Sequence, residues 1–206
     1  MEKKVKRITS QQISDDLIWK GIRSGEEKSL TLLIGSYSNI LFSYGCKFTS
    51  DKAMLKDCIQ DLFINIWKNR ATLAESVTIK AYLLASIRRL IYRKVKSKNP
   101  VALGYDEQFM DELPFQLSFS LENKIIADES LHVFSVEIGK RIEALAARQR
   151  EVIYLKYFLG LSRDEMAEIT GISPQTVSNT LQSAIKNLRT GMVGQYERFR
   201  ALLLFF

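Results

Sequence analysis

Gln175, Thr176, Ser178, Asn179 and Gln182 crowd amides and hydroxyls into one short stretch of the chain. Such groups can pair with the base edges or phosphates of a nucleic-acid duplex, provided a rigid helix presents them together. Val177, Leu181, Ala184, Ile185 and Leu188 recur at intervals of three and four, the buried stripe of an amphipathic helix, which leaves the polar set facing outward. Ser173 and Pro174 start that helix as N-cap and first helical residue. Just upstream, Ser162 and Glu165 have the spacing of a capping box, and Met166, Ala167 and Ile169 supply a small apolar face. Gly171 ends this first helix, because glycine takes the left-handed conformation that other residues reach only at a cost. Two short helices joined by a tight turn, over residues 162 to 189, form a helix-turn-helix whose second member reads a major groove. The plain alternative is a helical hairpin with a polar solvent face.

The rest of the chain has to position that reader. Its 206 residues, 46% of them hydrophobic, suffice for packed cores in one or two domains of a soluble globular protein. The net charge of +7 favours a polyanionic partner. The N-terminus lacks the apolar stretch of a signal peptide, and no run approaches the roughly 20 apolar residues that span a bilayer, so the expected location is cytoplasmic with no membrane insertion. Cys46 and Cys58 are too few for a disulfide framework and are expected as reduced core residues. The single His132 cannot furnish a zinc ligand set and is expected as an ordinary helix residue. With no glycine-rich phosphate loop either, the sequence points to no cofactor, no metal and no catalytic residue, and hence to a protein that is not an enzyme.

Prolines occur only at 100, 114 and 174, and helical periodicity dominates. The expected fold is all-α: two helical domains joined by an acidic linker, the second a four-helix domain holding the helix-turn-helix. The boundaries are 1–98, 99–124 and 125–206. In the first block, turns are expected at Gly25, around Thr49 to Asp51, and between Lys68 and Thr78. Residues 99 to 123 carry Asp106, Glu107, Asp111, Glu112 and Glu122 against no basic residue. Phe109, Leu113, Phe115, Leu117 and Phe119 make part of this linker a docking segment, since solvated spacers are poor in aromatics. The terminal ALLLFF, residues 201 to 206, is too short to span a membrane; it is expected to pack on its own domain, the alternative being that it holds the two domains together in an inactive form or docks on an inhibitory partner.

In residues 52 to 70, Leu55, Cys58, Ile59, Leu62, Phe63 and Ile66 make a buried stripe and leave Asp57, Gln60 and Asp61 on another face. Asp57 and Asp61 stand one helical turn apart and could engage a basic partner helix; a solvated face is the plain alternative. This stretch, AMLKDCIQDLFINIW, resembles the core-binding helix of bacterial sigma factors, with Gln60, Asp61, Phe63 and Trp67 on the family pattern. IEALAARQREVIYLKYFLGLSRDEMAEITGISPQTVSNTLQSAIKNLR resembles the sigma domain that reads the -35 promoter element. The likeness covers most of residues 15 to 190, and its two-domain extent is similar to that of the extracytoplasmic-function group.

The resemblance implies a promoter-specificity subunit of RNA polymerase, with core polymerase and promoter DNA as partners and an anti-sigma factor as inhibitor. Asp57, Gln60 and Asp61 would grip the polymerase clamp helices. The segment Asn69 to Lys98 would recognise and melt the -10 element, the turn from Asn69 to Thr78 holding a flipped base. From Ile79 to Lys98 the chain carries Lys80, Arg88, Arg89, Arg93, Lys94, Lys96 and Lys98 with no acid, which suits a phosphate backbone. Tyr82 and Tyr92 are candidate stacking residues. The linker would thread the polymerase cleft, its carboxylates mimicking nucleic-acid charge. This chain departs from the family in three places. Arg89 and Arg93 stand where asparagine and aspartate are common. Thr180 and Ser183 stand where arginines often lie in the reading helix, leaving Lys186 and Arg189 as its phosphate-binding cations. Ala146 replaces a proline, so the preceding helix is expected to run on unbroken. The competing function is a stand-alone helix-turn-helix regulator that binds duplex DNA as a dimer.

Overall fold

The computed structural model describes residues 10–75, 77–98, 113–117 and 137–190. Among them there are helices and connecting turns and no strand, which bears out the all-α expectation. They fall into two compact units, one within Met1–Cys46 and Asp51–Lys94, the other within Lys47–Ser50 and Val95–Phe206. His132, Phe109, Phe119, the linker acids and the ALLLFF tail lie outside the described residues.

The first unit is built on four helices: α1 (Ser10–Arg23), α2 (Glu27–Gly45), α3 (Lys52–Lys68) and α4 (Ile79–Lys98), the last through Lys94. All three expected turns are present. Gly25 reverses the chain after α1 with φ of 85°, a left-handed value natural to glycine. Asp51 caps α3 by accepting a bond from the Met54 backbone N–H at 2.9 Å, which satisfies one of the donors orphaned at a helix start. The core follows the three-four spacing of the apolar residues: Ile18, Trp19 and Ile22 of α1; Leu33, Tyr37, Leu41 and Tyr44 of α2; Leu55, Cys58, Leu62 and Ile66 of α3; Leu83, Leu84, Ile87 and Ile91 of α4. Ile59 departs from the expected stripe and is only half-buried. Beyond α3, a 3-10 turn (Arg70–Thr72) leads into a loop that α1 holds from the side. The Trp19 indole donates to the Ala74 carbonyl at 2.9 Å, and Arg23 pairs with Glu75 at 3.4 Å.

The second unit carries α5, seen from 137 to 143, then α6 (Ala147–Ile153), α7 (Arg163–Thr170) and α8 (Pro174–Arg189). Contrary to the expectation at Ala146, the chain does break there: Ala146 is extended, with φ of −60° and ψ of 150°. The break survives the loss of proline because polar groups hold it. Gln149 accepts from the Ala146 N–H at 3.3 Å, while Arg150 donates to the Glu143 and Leu145 carbonyls at 2.6 and 2.8 Å. The same guanidinium donates to the Phe115 carbonyl at 2.7 Å. Leu113, Phe115 and Leu117 are buried while Pro114 and Gln116 are exposed, so this piece of the linker docks as its aromatic content implied. Phe115 rests against Tyr154, whose phenol burial pushes above its ordinary pKa. α6 widens at its end into one π-helical turn (Tyr154–Phe158), and Gly160 reverses the chain toward α7.

Candidate nucleic-acid interface

Residues 162 to 189 fold as the capping and glycine signals require. The Ser162 hydroxyl accepts from the Glu165 N–H at 3.3 Å, and the Glu165 carboxylate accepts from the Ser162 N–H at 2.7 Å. Gly171 sits at φ 74° and ψ 17°, a left-handed turn that swings the chain from α7 into α8. Ser173 then accepts from the Thr176 N–H at 3.1 Å, with Pro174 at the first helical position. Met166, Ala167 and Ile169 of α7 and Val177, Ala184 and Leu188 of α8 are buried between the two helices and α6.

With that face inside, Gln175, Asn179, Gln182, Lys186 and Arg189 are all exposed, spaced by four, three, four and three along α8, and so form one outward stripe. Thr176 lies exposed beside it. Gln175 donates to the Asn179 side-chain oxygen at 3.0 Å, which holds the two amides in register at the helix start. Ser178 is less available than its type suggested: it is half-buried, and its hydroxyl donates to the Pro174 carbonyl at 3.2 Å. Ser183 accepts from Gln149 at 3.1 Å, so it serves to tie α8 to α6.

The basic helix α4 is divided by its own geometry. Arg89, Arg93 and Lys94 are exposed, and Lys80 is half-buried. Arg88 is 1% exposed, which corrects its assignment as a DNA contact: position 88 falls on the core side, between Ile87 and Ile91. Tyr92 is likewise a core residue. Tyr82 is half-buried and meets Trp19 edge-on, with ring centroids 5.4 Å apart, so it forms a fixed wall more than a free stacking platform.

Between α3 and α4 the structure opens a recess of about 160 Å³. Arg89 and Arg93, one turn apart on α4, share this recess with Asn65 of α3 and Asn69 at its C-cap, one turn further on; Tyr82, Ser86, Leu62, Ile66, Leu73 and Leu90 complete the lining. No acidic residue lines it. Asn69 also closes α3, its amide donating to the Asn65 carbonyl at 2.9 Å. Sequence reasoning named Asn69, Arg89 and Arg93 but missed Asn65, although its one-turn spacing from Asn69 was readable.

The proposed acidic face of α3 also divides. Asp57 and Gln60 are exposed, whereas Asp61 leans toward α4 and pairs with Lys94 at 3.8 Å. That pair is half-exposed and adds little stability, but it turns one acid away from Gln60. Beside it, burial pushes the Cys58 thiol up, with the Lys94 cation pulling the other way, so Cys58 is an inert core residue. Cys46 is half-buried. Gln60 instead borders an apolar groove of about 690 Å³ between α2 and α3. Leu30, Ile34, Phe42, Ile59, Phe63, Ile64 and Trp67 line it, with Lys56 and Lys68 among its polar members. Ile34 and Ile64 are 38% and 40% exposed, off the buried stripe of their helices. That displacement was the sequence signal for the groove.

Among the described residues no side-chain group is arranged to hold a metal ion, and no helix is long and apolar enough to cross a membrane. Residues 33–100 match the family model described as Sigma-70 region 2, and residues 135–188 that described as Sigma-70, region 4; together these cover more than half of the chain. The chain is 25% identical over 175 residues to the ECF RNA polymerase sigma factor SigX of Bacillus subtilis, covering 81% of this chain and 84% of that one. It is 23% identical over 175 residues to an uncharacterized protein of Clostridium acetobutylicum, covering 81% and 89%. Two solved structures share the fold. CnrH, in complex with the cytosolic domain of CnrY, has a TM-score of 0.56 at 16% identity, covering 86% of this chain and 96% of that chain. RpoE of Bartonella quintana, in complex with the anti-sigma factor NepR, has a TM-score of 0.51 at 21% identity, covering 80% and 94%.

Proposed function

The chain belongs to the sigma-70 family, as an extracytoplasmic-function sigma factor that directs RNA polymerase to promoters, and we propose how its two units divide that task. The second unit reads the duplex -35 element with the outward stripe of α8: Gln175, Thr176, Asn179 and Gln182 toward base edges, Lys186 and Arg189 toward phosphates. The first unit binds core polymerase through α3 and captures the opened -10 strand along α4 and the loop after Asn69. RNA synthesis is the polymerase's chemistry; family members are in general not enzymes, and we assign this chain no reaction. Its workplace is then the cytoplasm, where the polymerase acts.

The observation that carries the division of labour is the split surface of the first unit. One side of α3 opens an apolar groove with Gln60 at its margin, and the other side faces a cation-lined recess with no acid. An apolar groove suits a partner helix, and a cationic recess suits nucleic acid. Since CnrH was solved with the cytosolic domain of CnrY and RpoE with the anti-sigma factor NepR, an anti-sigma protein that covers the groove and competes with polymerase fits the same surface.

The test is retention of purified core polymerase by the tagged full-length chain. Asp57→Lys, Gln60→Ala and Ile64→Glu should each reduce retention while leaving the circular dichroism of the chain unchanged. Undiminished retention by all three would place the polymerase contact elsewhere.

A further inference from the structure

The recess between α3 and α4 has more structure than a cationic track requires. A phosphodiester needs only protruding positive charge and no recess around it. Here two guanidiniums, two side-chain amides and the Ser86 hydroxyl line one small, mainly polar recess, with Tyr82 and Leu90 among its remaining walls. Several fixed hydrogen-bonding side chains gathered around one small recess with an aromatic ring in its wall suit the edge of a flipped base.

The donors narrow the base further. Arginine donates and never accepts, so the base edge that meets Arg89 and Arg93 must carry acceptors. Guanine presents two adjacent acceptors, O6 and N7, on one edge, whereas adenine places an amino group beside its N7 and would aim a donor at a donor. Guanine's other edge carries N–H donors. Asn69 is suited to receive one of them through its side-chain oxygen: one of its two amide N–H groups is held by the Asn65 carbonyl, which fixes the carboxamide.

We propose that this recess is a guanine-selective pocket for one unpaired base of the opened promoter strand, with Arg89 and Arg93 on its O6/N7 edge and Asn69 on its N–H edge. The inference rests on the reading of the first unit as the binder of that strand, and it adds the identity of the base.

Holoenzyme assembled from the full chain and core polymerase would be used to select from a pool of randomised single-stranded oligonucleotides. Wild-type holoenzyme should fix guanine at one position, and replacing that guanine by 7-deazaguanine, which lacks the N7 acceptor, should weaken binding. A bidentate arginine contact predicts discrimination against the wrong base of roughly five- to 150-fold. Arg89→Ala and Arg93→Ala should relax preference at that position alone, with polymerase retention as the control for folding. Selection of a different base at the position governed by Arg89 and Arg93 would overturn the proposal. So would a uniform loss of affinity with preference intact and a salt slope lower by about 0.7 per arginine, the signature of phosphate contact. Failure of wild-type holoenzyme to bind any strand would instead count against the sigma reading itself.

Discussion

Gly35 and Gly45 lie on the same helix, α2, yet the same change to alanine should move stability in opposite directions. At Gly35 an added Cβ meets no atom within 4 Å, and the position is exposed in mid-helix. Removing the entropic cost of glycine there should gain about 0.5–1 kcal/mol. At Gly45 the Cβ would fall 2.3 Å from Leu55 Cδ1 and 3.0 Å from Cδ2. Carbon atoms pack at about 3.5–4.0 Å, so α2 and α3 must part or Leu55 must leave its rotamer. Leu55 is 0% exposed, with no solvent to move into. Overpacking of this kind costs about 1–3 kcal/mol, and the glycine, as the last residue of α2, returns less propensity than one in mid-helix. The two variants should therefore differ by about 1.5–4 kcal/mol. Both tryptophans, Trp19 and Trp67, belong to the first unit, so tryptophan fluorescence during urea denaturation reports that unit alone. Unfolding of Gly45→Ala at the same urea concentration as Gly35→Ala, or at a higher one, would refute the clash with Leu55.

Three further outcomes follow from single features. Gly171→Ala has room for its methyl, so its cost is the left-handed backbone alone, about 1–2 kcal/mol, and Gly171→Asn should recover much of it; equal losses in thermal melts would remove the turn as the cause. Burial and a hydrogen bond to Asp15 push the Tyr37 phenol above its ordinary pKa of about 10, so the folded state keeps it neutral where the unfolded chain ionises it. Its stabilisation is complete below that pH and is lost as pH rises toward the folded value; urea midpoints of Tyr37→Phe should fall less between pH 9 and 11 than those of wild type. Trp19→Phe keeps an aromatic ring but deletes the bond to the Ala74 carbonyl; the lost bond should cost about 0.5–1.5 kcal/mol, with the smaller phenyl adding a cavity cost at this buried site, and should speed hydrogen exchange in the loop after α3, while unchanged exchange would mean that α1 does not hold that loop.

The helix-turn-helix was legible because its signals are local. Ser162, Glu165, Gly171, Ser173 and Pro174 each act within one turn of themselves, and each does in the structure what its type implies. The burial of Leu113, Phe115 and Leu117 was legible for a compositional reason, aromatics in a linker. Arg88 was misread because a basic run was treated as one face, when a helix distributes consecutive residues around its axis and position 88 falls inside. The break at Ala146 was missed because the residues that hold it, Gln149 and Arg150, reach back from the next helix. Asp61 could not be separated from Gln60 without knowing that α4 brings Lys94 beside it. The recess and the groove arise between helices, so only their single-helix traces, Asn65 before Asn69 and the exposed Ile34 and Ile64, were available in one dimension.

The central claim is that this chain gives core polymerase its choice of promoter. Run-off transcription with purified core enzyme on a library of DNA fragments tests it most directly. The expected result is a set of transcripts seen only when the chain is added, starting downstream of one shared pair of -35 and -10 elements. No chain-dependent transcript from any fragment, together with a palindromic footprint by the chain alone, would contradict it and favour a stand-alone dimeric regulator.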